Sequence, residues 1–297
     1  MTRNGGGGGT VATTSPTVLK WWIALELTQL RERAGLSRQQ VAEHVGCVVS
    51  AVRHVETGRN LPRPLELREM LTLYGVPERV ERFAELVSSA KKGRDWFEVF
   101  AGAAPPWFDL FLGLESSAAQ IESYDAMVVP GLFQTAAYAE AVIQAGDPEL
   151  SDAEVSRRIE LRLARQDVLT REPDPPTVWS VLDESTLYRT AGSPAAMREQ
   201  LTHLLNLAQL PTLTIQVLPM AAGPHIGIDG TFIMFEFPDL TGSPTVAYTD
   251  AMIQVGRYYE QPEHLRRYRN ALTHLRVAAA KPAESVTMIA QRAQELS

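Results

Sequence analysis

The sequence predicts two folds in one chain of 297 residues. Residues 17–92 read as an all-α five-helix domain, and residues 93–297 as an α+β domain with about five strands and flanking helices. Three observations carry this. The first stretch is a series of short helical patterns, most of them closed by a glycine. The second alternates apolar strand-like runs with longer helical ones. Between them, over residues 91–106, the composition shifts through Lys91-Lys92-Gly93-Arg94 to an Ala/Gly/Pro-rich passage. The length suits two domains, and 45% apolar with 21% charged residues is ordinary globular composition.

Taken in order, residues 1–16 hold five consecutive glycines (Gly5–Gly9) and little to bury, so they read as a disordered tail. The first helix is expected over Trp22–Ala34, with Leu27, Leu30 and Ala34 on one stripe and Gly35 beyond its end. The second opens at Ser37 with Gln40 three residues on, a capping-box spacing, and stops at Gly46. The third covers about Val49–Thr57, with Gly58 as its stop. Two more follow over Pro64–Tyr74 and Pro77–Ala90. In the second domain, helices are expected over Trp107–Ala119, Thr135–Ala145, Ser151–Thr170, Pro194–Ala208, Pro262–Ala280 and Ala283–Leu296. Strands are expected over Ile121–Val129, Thr177–Leu182, Thr212–Leu218, Thr231–Phe237 and Thr245–Tyr248, with Met252–Val255 able to pair with the last.

Composition narrows the function. No run approaches the ~18 apolar residues of a membrane helix, and no signal-peptide pattern opens the chain, so a cytoplasmic protein is expected. Cys47 is the single cysteine, which excludes an internal disulfide and a multi-cysteine zinc site. The net charge of −7 argues at first against nucleic acid. Its distribution reverses that: residues 17–92 carry +3 and residues 93–297 carry −11, a basic head on an acidic body.

The informative stretch is residues 36–62, LSRQQVAEHVGCVVSAVRHVETGRNLP. Two short helices meet at a turn around Gly46, with Val41, Ala42, Val45, Val52 and Val55 inward, and Gly46 able to take the positive φ such a turn requires. This is the helix-turn-helix pattern. Leu36-Ser37, Val41-Ala42, Val45-Gly46, Val52, Val55-Glu56-Thr57-Gly58-Arg59 and Pro62 resemble the domain of lambda-repressor-like, XRE-type transcription regulators.

The resemblance implies that the third helix enters the major groove, with Val49, Ser50, Arg53 and His54 outward. It places Arg38 and Arg59 at phosphates, with Gln39 beside them, and gives Glu56 a structural role. One departure stands out: Val48, Val49 and Ala51 occupy positions usually held by Ser, Thr, Arg or Gln. Val48 cannot cap the third helix, which forgoes about 1 kcal/mol. Val49 cannot hydrogen-bond a base, though it can touch a thymine methyl. Cys47 reads as a small buried residue rather than a redox sensor.

Three segments of the second domain, from Pro105 to Ile143, Ser151 to Thr170 and Leu213 to Pro238, resemble the C-terminal domain paired with this head in antitoxin-like regulators of high-GC Gram-positive bacteria, a domain of unknown function. The resemblance implies a partner protein encoded nearby and supplies no ligand or reaction. The residues add little chemistry. Glu199 and His203, four apart, lack a further metal ligand, and Asp183-Glu184 reads as a turn rather than an acid/base pair. Phe232, Phe235 and Phe237 read as core. Arg157, Arg158, Arg162 and Arg165 form a solvated helix face or an acidic-partner surface. The Pro219–Gly230 loop is a long connection or the rim of a ligand pocket, with His225 and Asp229 as its polar contacts.

The expectation is a DNA-binding regulator that is not an enzyme and needs no cofactor or metal. It binds double-stranded DNA as a homodimer, and its C-terminal domain mediates dimerisation and partner or ligand binding. The alternatives are a protein-interaction antitoxin with weak or no DNA binding, and a small-molecule-gated regulator.

Overall fold

The computed structural model describes residues 14–237, 244–250 and 256–296. The glycine run and the Met252–Val255 segment lie outside these residues. The chain divides into two compact units, one running through Val99 together with Asp109–Ser117, the other comprising Phe100–Phe108 and the residues from Ala118 onward.

The first unit contains α1 (Pro16–Arg33), α2 (Arg38–Val45), α3 (Val49–Glu56), α4 (Pro64–Leu73), a 3-10 turn (Pro77–Arg79) leading into α5 (Val80–Lys92), and α6 (Phe108–Ser117) from Asp109 on. Helix α1 starts six residues earlier than its apolar pattern indicates, and Ser15 and Pro16 belong to its first turn rather than to a tail. Pro16 is favourable there because the first helical N–H has no intrahelical acceptor.

The start of α1 is fixed from a distance. The Ser15 hydroxyl donates to Asp95 Oδ1, and Thr17 Oγ1 donates to Asp95 Oδ2 at 2.7 Å. The Ser15 N–H donates to Ser117 Oγ at 2.9 Å. Val18, Leu19, Trp22, Ile23, Leu27 and Leu30 form the buried stripe of α1, and Phe83, Leu86, Val87 and Ala90 that of α5. Helix α6 needs Gly113, since a Cβ there would lie 2.7 Å from Ser15 Oγ and 3.0 Å from Val18 Cγ2.

The second unit is a six-stranded mixed sheet in the order β3-β2-β1-β4-β5-β6. Its strands are β1 (Gln120–Asp125), β2 (Thr177–Asp183), β3 (Leu213–Leu218), β4 (Phe232–Glu236), β5 (Thr245–Thr249) and β6 (Arg257–Tyr259). β1, β2 and β3 run parallel, while β4, β5 and β6 add antiparallel to one another beyond β1. The first two crossovers carry helices, as parallel neighbours require: α7 (Ala136–Gly146) and α8 (Asp152–Ala164), then α9 (Ser185–Tyr188) and α10 (Pro194–Leu207). α11 (Pro262–Ala278) and α12 (Pro282–Glu295) close the unit. Strand β6 lies past the segment read from sequence as the partner of β5.

Alternation of side chains assigns the two faces. Tyr124, Val181, Phe232, Met234 and Ala247 lie on one face, against Leu265, Leu272 and Leu275 of α11. That face also carries a polar network. Arg276 Nη2 donates to Glu122 Oε1 at 2.5 Å and its guanidinium lies 4.3 Å from the Trp179 ring. The Trp179 indole donates to Gln216, whose amide donates to the Ala280 carbonyl at 2.9 Å.

The edge strand β3 is covered by the chain that leads into α12. The Val217 N–H donates to Ser285 Oγ and the Ala280 N–H to the Val217 carbonyl, each at 2.9 Å, so that edge does not present its ladder groups to other chains at this point. On the opposite face of the sheet, Asp125 Oδ2 accepts from Ser123 Oγ at 2.6 Å and from Ser180 Oγ at 3.2 Å. Burial raises the Asp125 carboxyl from 3.8 to about 7, against the lowering effect of the two hydroxyls.

Two predictions follow from these buried carboxylates. Replacing Asp95 with Ala leaves the hydroxyls of Ser15 and Thr17 without their acceptor. It should cost about 2 kcal/mol in the unfolding of the first unit, read from denaturant titration. Asp125 holds its proton more tightly in the folded chain than in the unfolded one, so stability falls as pH rises from about 3.8 to about 7 and levels off above. Asp125→Asn removes that dependence. The stability difference between variant and parent should move in favour of the variant by about 2–3 kcal/mol between pH 5 and pH 8, in urea unfolding at the two values.

Candidate nucleic-acid interface

Ser37 caps α2 in a full capping box with Gln40, and α2 ends at Gly46 with φ +75°, a left-handed conformation that suits glycine. The chain then enters α3 through Val48, whose side chain makes no cap hydrogen bond. Val41, Ala42, Val52 and Val55 are buried between the helices. That leaves one face of α3 outward, with Val49 38% exposed and Ser50 and Arg53 exposed beside it.

This geometry is held by one carboxylate. The side chain of Glu56 at the end of α3 is 2% exposed and accepts from Arg31 Nε at 2.5 Å and from Arg38 Nε at 2.6 Å. Arg31 also donates to the Leu36 carbonyl at 2.8 Å, so α1, the turn into α2, and α3 converge on a single ion cluster. Burial alone would lower the Arg31 guanidinium; hydrogen bonding and the charge of Glu56 outweigh it and hold the pKa above the ordinary arginine value.

The residues expected from sequence at the DNA surface are distributed as follows. Arg53 is exposed, and its side chain meets no partner among the described residues. Arg59, also exposed, lies with Nη1 3.5 Å from Nε2 of the half-buried His54. Arg38 gives its Nε to Glu56, but its side chain stays 45% exposed. Gln39 turns to Glu43, donating at 2.6 Å. Val49, Ser50, Arg53, His54 and Arg59 belong to α3 and the loop after it, and Arg38 and Gln39 to the first turn of α2.

Sequence reasoning passes over Arg31, whose partner lies 25 residues away and leaves no local spacing signal. It also leaves out Val48, which is 66% exposed. Cys47 is half-buried, and burial, helped by the nearby Glu66 carboxylate, pushes its thiol up.

In the second unit, His225 and Asp229 are not brought together. His225 Nδ1 accepts from the Gly227 N–H at 3.2 Å, and its Nε2 lies 3.7 Å from Asp183, with the ring edge-on to Tyr124. Asp229 is exposed, 3.7 Å from Arg267. A cleft of about 750 Å³ lies elsewhere, lined by Thr135, Ser193, Arg198, Glu199, His203 and Asn206 among others.

The arginines of α8 and the turn after it are engaged within the unit. Arg157 donates to the Ala101 carbonyl, Arg158 pairs with Asp147, Arg162 donates to Gln134, and Arg165 is buried against the Phe108 ring. No group of three or more His, Cys, Asp or Glu arranged for a metal is found among the described residues. No helix among them is long and apolar enough to cross a membrane.

The fold and this face define a helix-turn-helix protein: residues 22–84 match a helix-turn-helix domain. Residues 108–291 match a domain of unknown function, DUF5753, and the chain belongs to that family. The match begins at α6 and so includes a helix that packs in the first unit. Comparison with curated proteins and with solved structures finds no match.

The Glu56 cluster makes a direct prediction. Glu56→Ala leaves the buried Arg31 with only the exposed Glu32 as counter-ion, and should destabilise the first unit by about 3 kcal/mol. An exposed charge removal, Glu43→Ala, should stay within about 0.5 kcal/mol. Chemical denaturation of the two variants measures both.

Proposed function

We propose that this protein is a DNA-binding transcription regulator whose α3 lies in the major groove. The observation that carries the reading is the outward face of α3 and its flanks. Ser50, Arg53, His54, Arg59 and the open part of Arg38 stand together there, held by a buried cluster that leaves them accessible. Arg and Ser side chains pair with guanine O6/N7 or with phosphate. The Glu56 carboxylate is already matched by Arg31 and Arg38, so it offsets little of this charge.

A single head offers few base contacts, so the protein acts as a homodimer on half-sites about one helical turn apart. In this reading the C-terminal domain supplies dimerisation and docks a small protein encoded nearby, an antitoxin-like arrangement. The protein works in the cytoplasm at the nucleoid and performs no catalysis. The exposure of Val48 and Val49 favours one second reading, a protein-interaction antitoxin in which this face contacts a protein and DNA binding is weak.

Binding of the full chain to the DNA upstream of its own gene, titrated with salt, tests the reading. Affinity should fall steeply between 50 and 200 mM salt, as counterion release requires. Arg53→Ala should weaken binding by about 1–3 kcal/mol if Arg53 reads a base. Absence of salt-sensitive binding overturns the proposal, and co-purification of a small protein without DNA binding supports the second reading.

A further inference from the structure

Val48 and Val49 are two adjacent β-branched apolar residues at the outer end of α3, 66% and 38% exposed. Neither has a folding role that explains it. Val48 stands at the N-cap without a cap hydrogen bond, where Ser, Thr, Asp or Asn would stabilise the helix. Val49 begins the helix one turn before the buried Val52 and remains 38% exposed.

Their surroundings narrow what covers them. Ser50 and Arg53 follow on the same helix, with Arg59 in the loop after it, and the Arg53 side chain has no acidic partner among the described residues. Of the carboxylates of the neighbouring segments, Glu56 is matched by Arg31 and Arg38 and Glu66 by Arg63, while Glu43 bonds the neutral Gln39 amide and Glu69 lies 3.3 Å from His44. An apolar pair bordered by Arg53 and Arg59, neither of which forms an ion pair among the described residues, complements a surface that is apolar at its centre and anionic at its rim. Duplex DNA offers this in one place, where thymine C5-methyl groups in the major groove are flanked by phosphates.

We propose that Val48 and Val49 read thymine methyl groups, so that the half-site carries thymine at one or two positions facing the start of α3. Ser50 and Arg53 take the hydrogen-bonded bases beside them. This rests on the DNA-binding reading above and adds the base class it selects. It requires no hydrogen bond from either valine, because a methyl group is recognised by the apolar area it covers.

The test uses the full chain. Sites are first selected from a random duplex pool. Each thymine of the selected half-site is then replaced in turn by deoxyuridine, which keeps the base pair and removes only the methyl group. At one or two positions binding should weaken about fourfold, the worth of one buried methyl group. Val48→Ala or Val49→Ala should bind thymine and deoxyuridine sites equally at those positions. Both valines are exposed, and unchanged thermal melting of the variants shows that the fold is kept.

Selection of no preferred DNA overturns the DNA-binding reading and this inference with it. A preferred site that tolerates deoxyuridine everywhere overturns the inference alone, and leaves the two valines to a protein partner. A methyl effect that persists undiminished in both alanine variants overturns the assignment to these residues.

Discussion

The helix-turn-helix geometry depends on the Glu56 carboxylate, buried at the end of α3 between Arg31 of α1 and Arg38 of α2. The long α1 and the two short helices α2 and α3 meet at this point. Helices of eight residues, as α2 and α3 are, have little stability in isolation and are held by tertiary contacts. The Val41, Ala42, Val52 and Val55 contacts supply apolar burial without direction. The ion cluster supplies direction, because an arginine and a carboxylate pair only in a restricted geometry. It also divides labour among the cations: Arg31 is committed to structure, Arg38 is partly committed, and Arg53 is left to the outside.

The second unit solves a different problem, a mixed sheet with helices to place and an edge to cover. Its parallel half is built by crossovers through α7–α8 and α9–α10, and its antiparallel half extends from β1 through β4. At the β3 edge, Ser285 and Ala280 occupy ladder groups that would otherwise face outward. Polar side chains on both faces of the sheet, Glu122 with Arg276 on one and Asp125 with Ser123 and Ser180 on the other, fix how helices and strands register. Asp125 bears a cost for this, since burial holds its carboxyl near neutrality with only hydroxyls as partners.

Much of this was legible in the sequence, and particular residues show why. The Ser37–Gln40 capping box, Gly46 and the apolar positions of α2 and α3 are local signals, and the helices lie where these place them. Strands β2, β3, β4 and β5 follow from alternation and from the turn residues around them. The start of α1 was not legible, because Ser15 and Pro16 are recruited by Asp95 and Ser117, 80 and 102 residues away. The membership of α6 in the first unit was hidden for the same reason: its close approach to Ser15 and Val18 through Gly113 has no signature in local spacing.

The sequence by itself determined the two-part architecture and the helix-turn-helix. Both rest on periodicity and turn chemistry, which act within a few residues. The side chains expected at DNA came from the family resemblance, and the tertiary structure decided which of them are available. It set Arg38 on Glu56 and Gln39 on Glu43, left Arg53 without a partner among the described residues, and placed Val48 and Val49 on the surface. It also drew the α8 arginines into contacts within their own unit, and separated His225, packed on Tyr124 beside Asp183, from Asp229 on Arg267. A charged side chain takes its role from the counter-charge it meets, and that partner is set by the folding of distant segments rather than by neighbours in the chain.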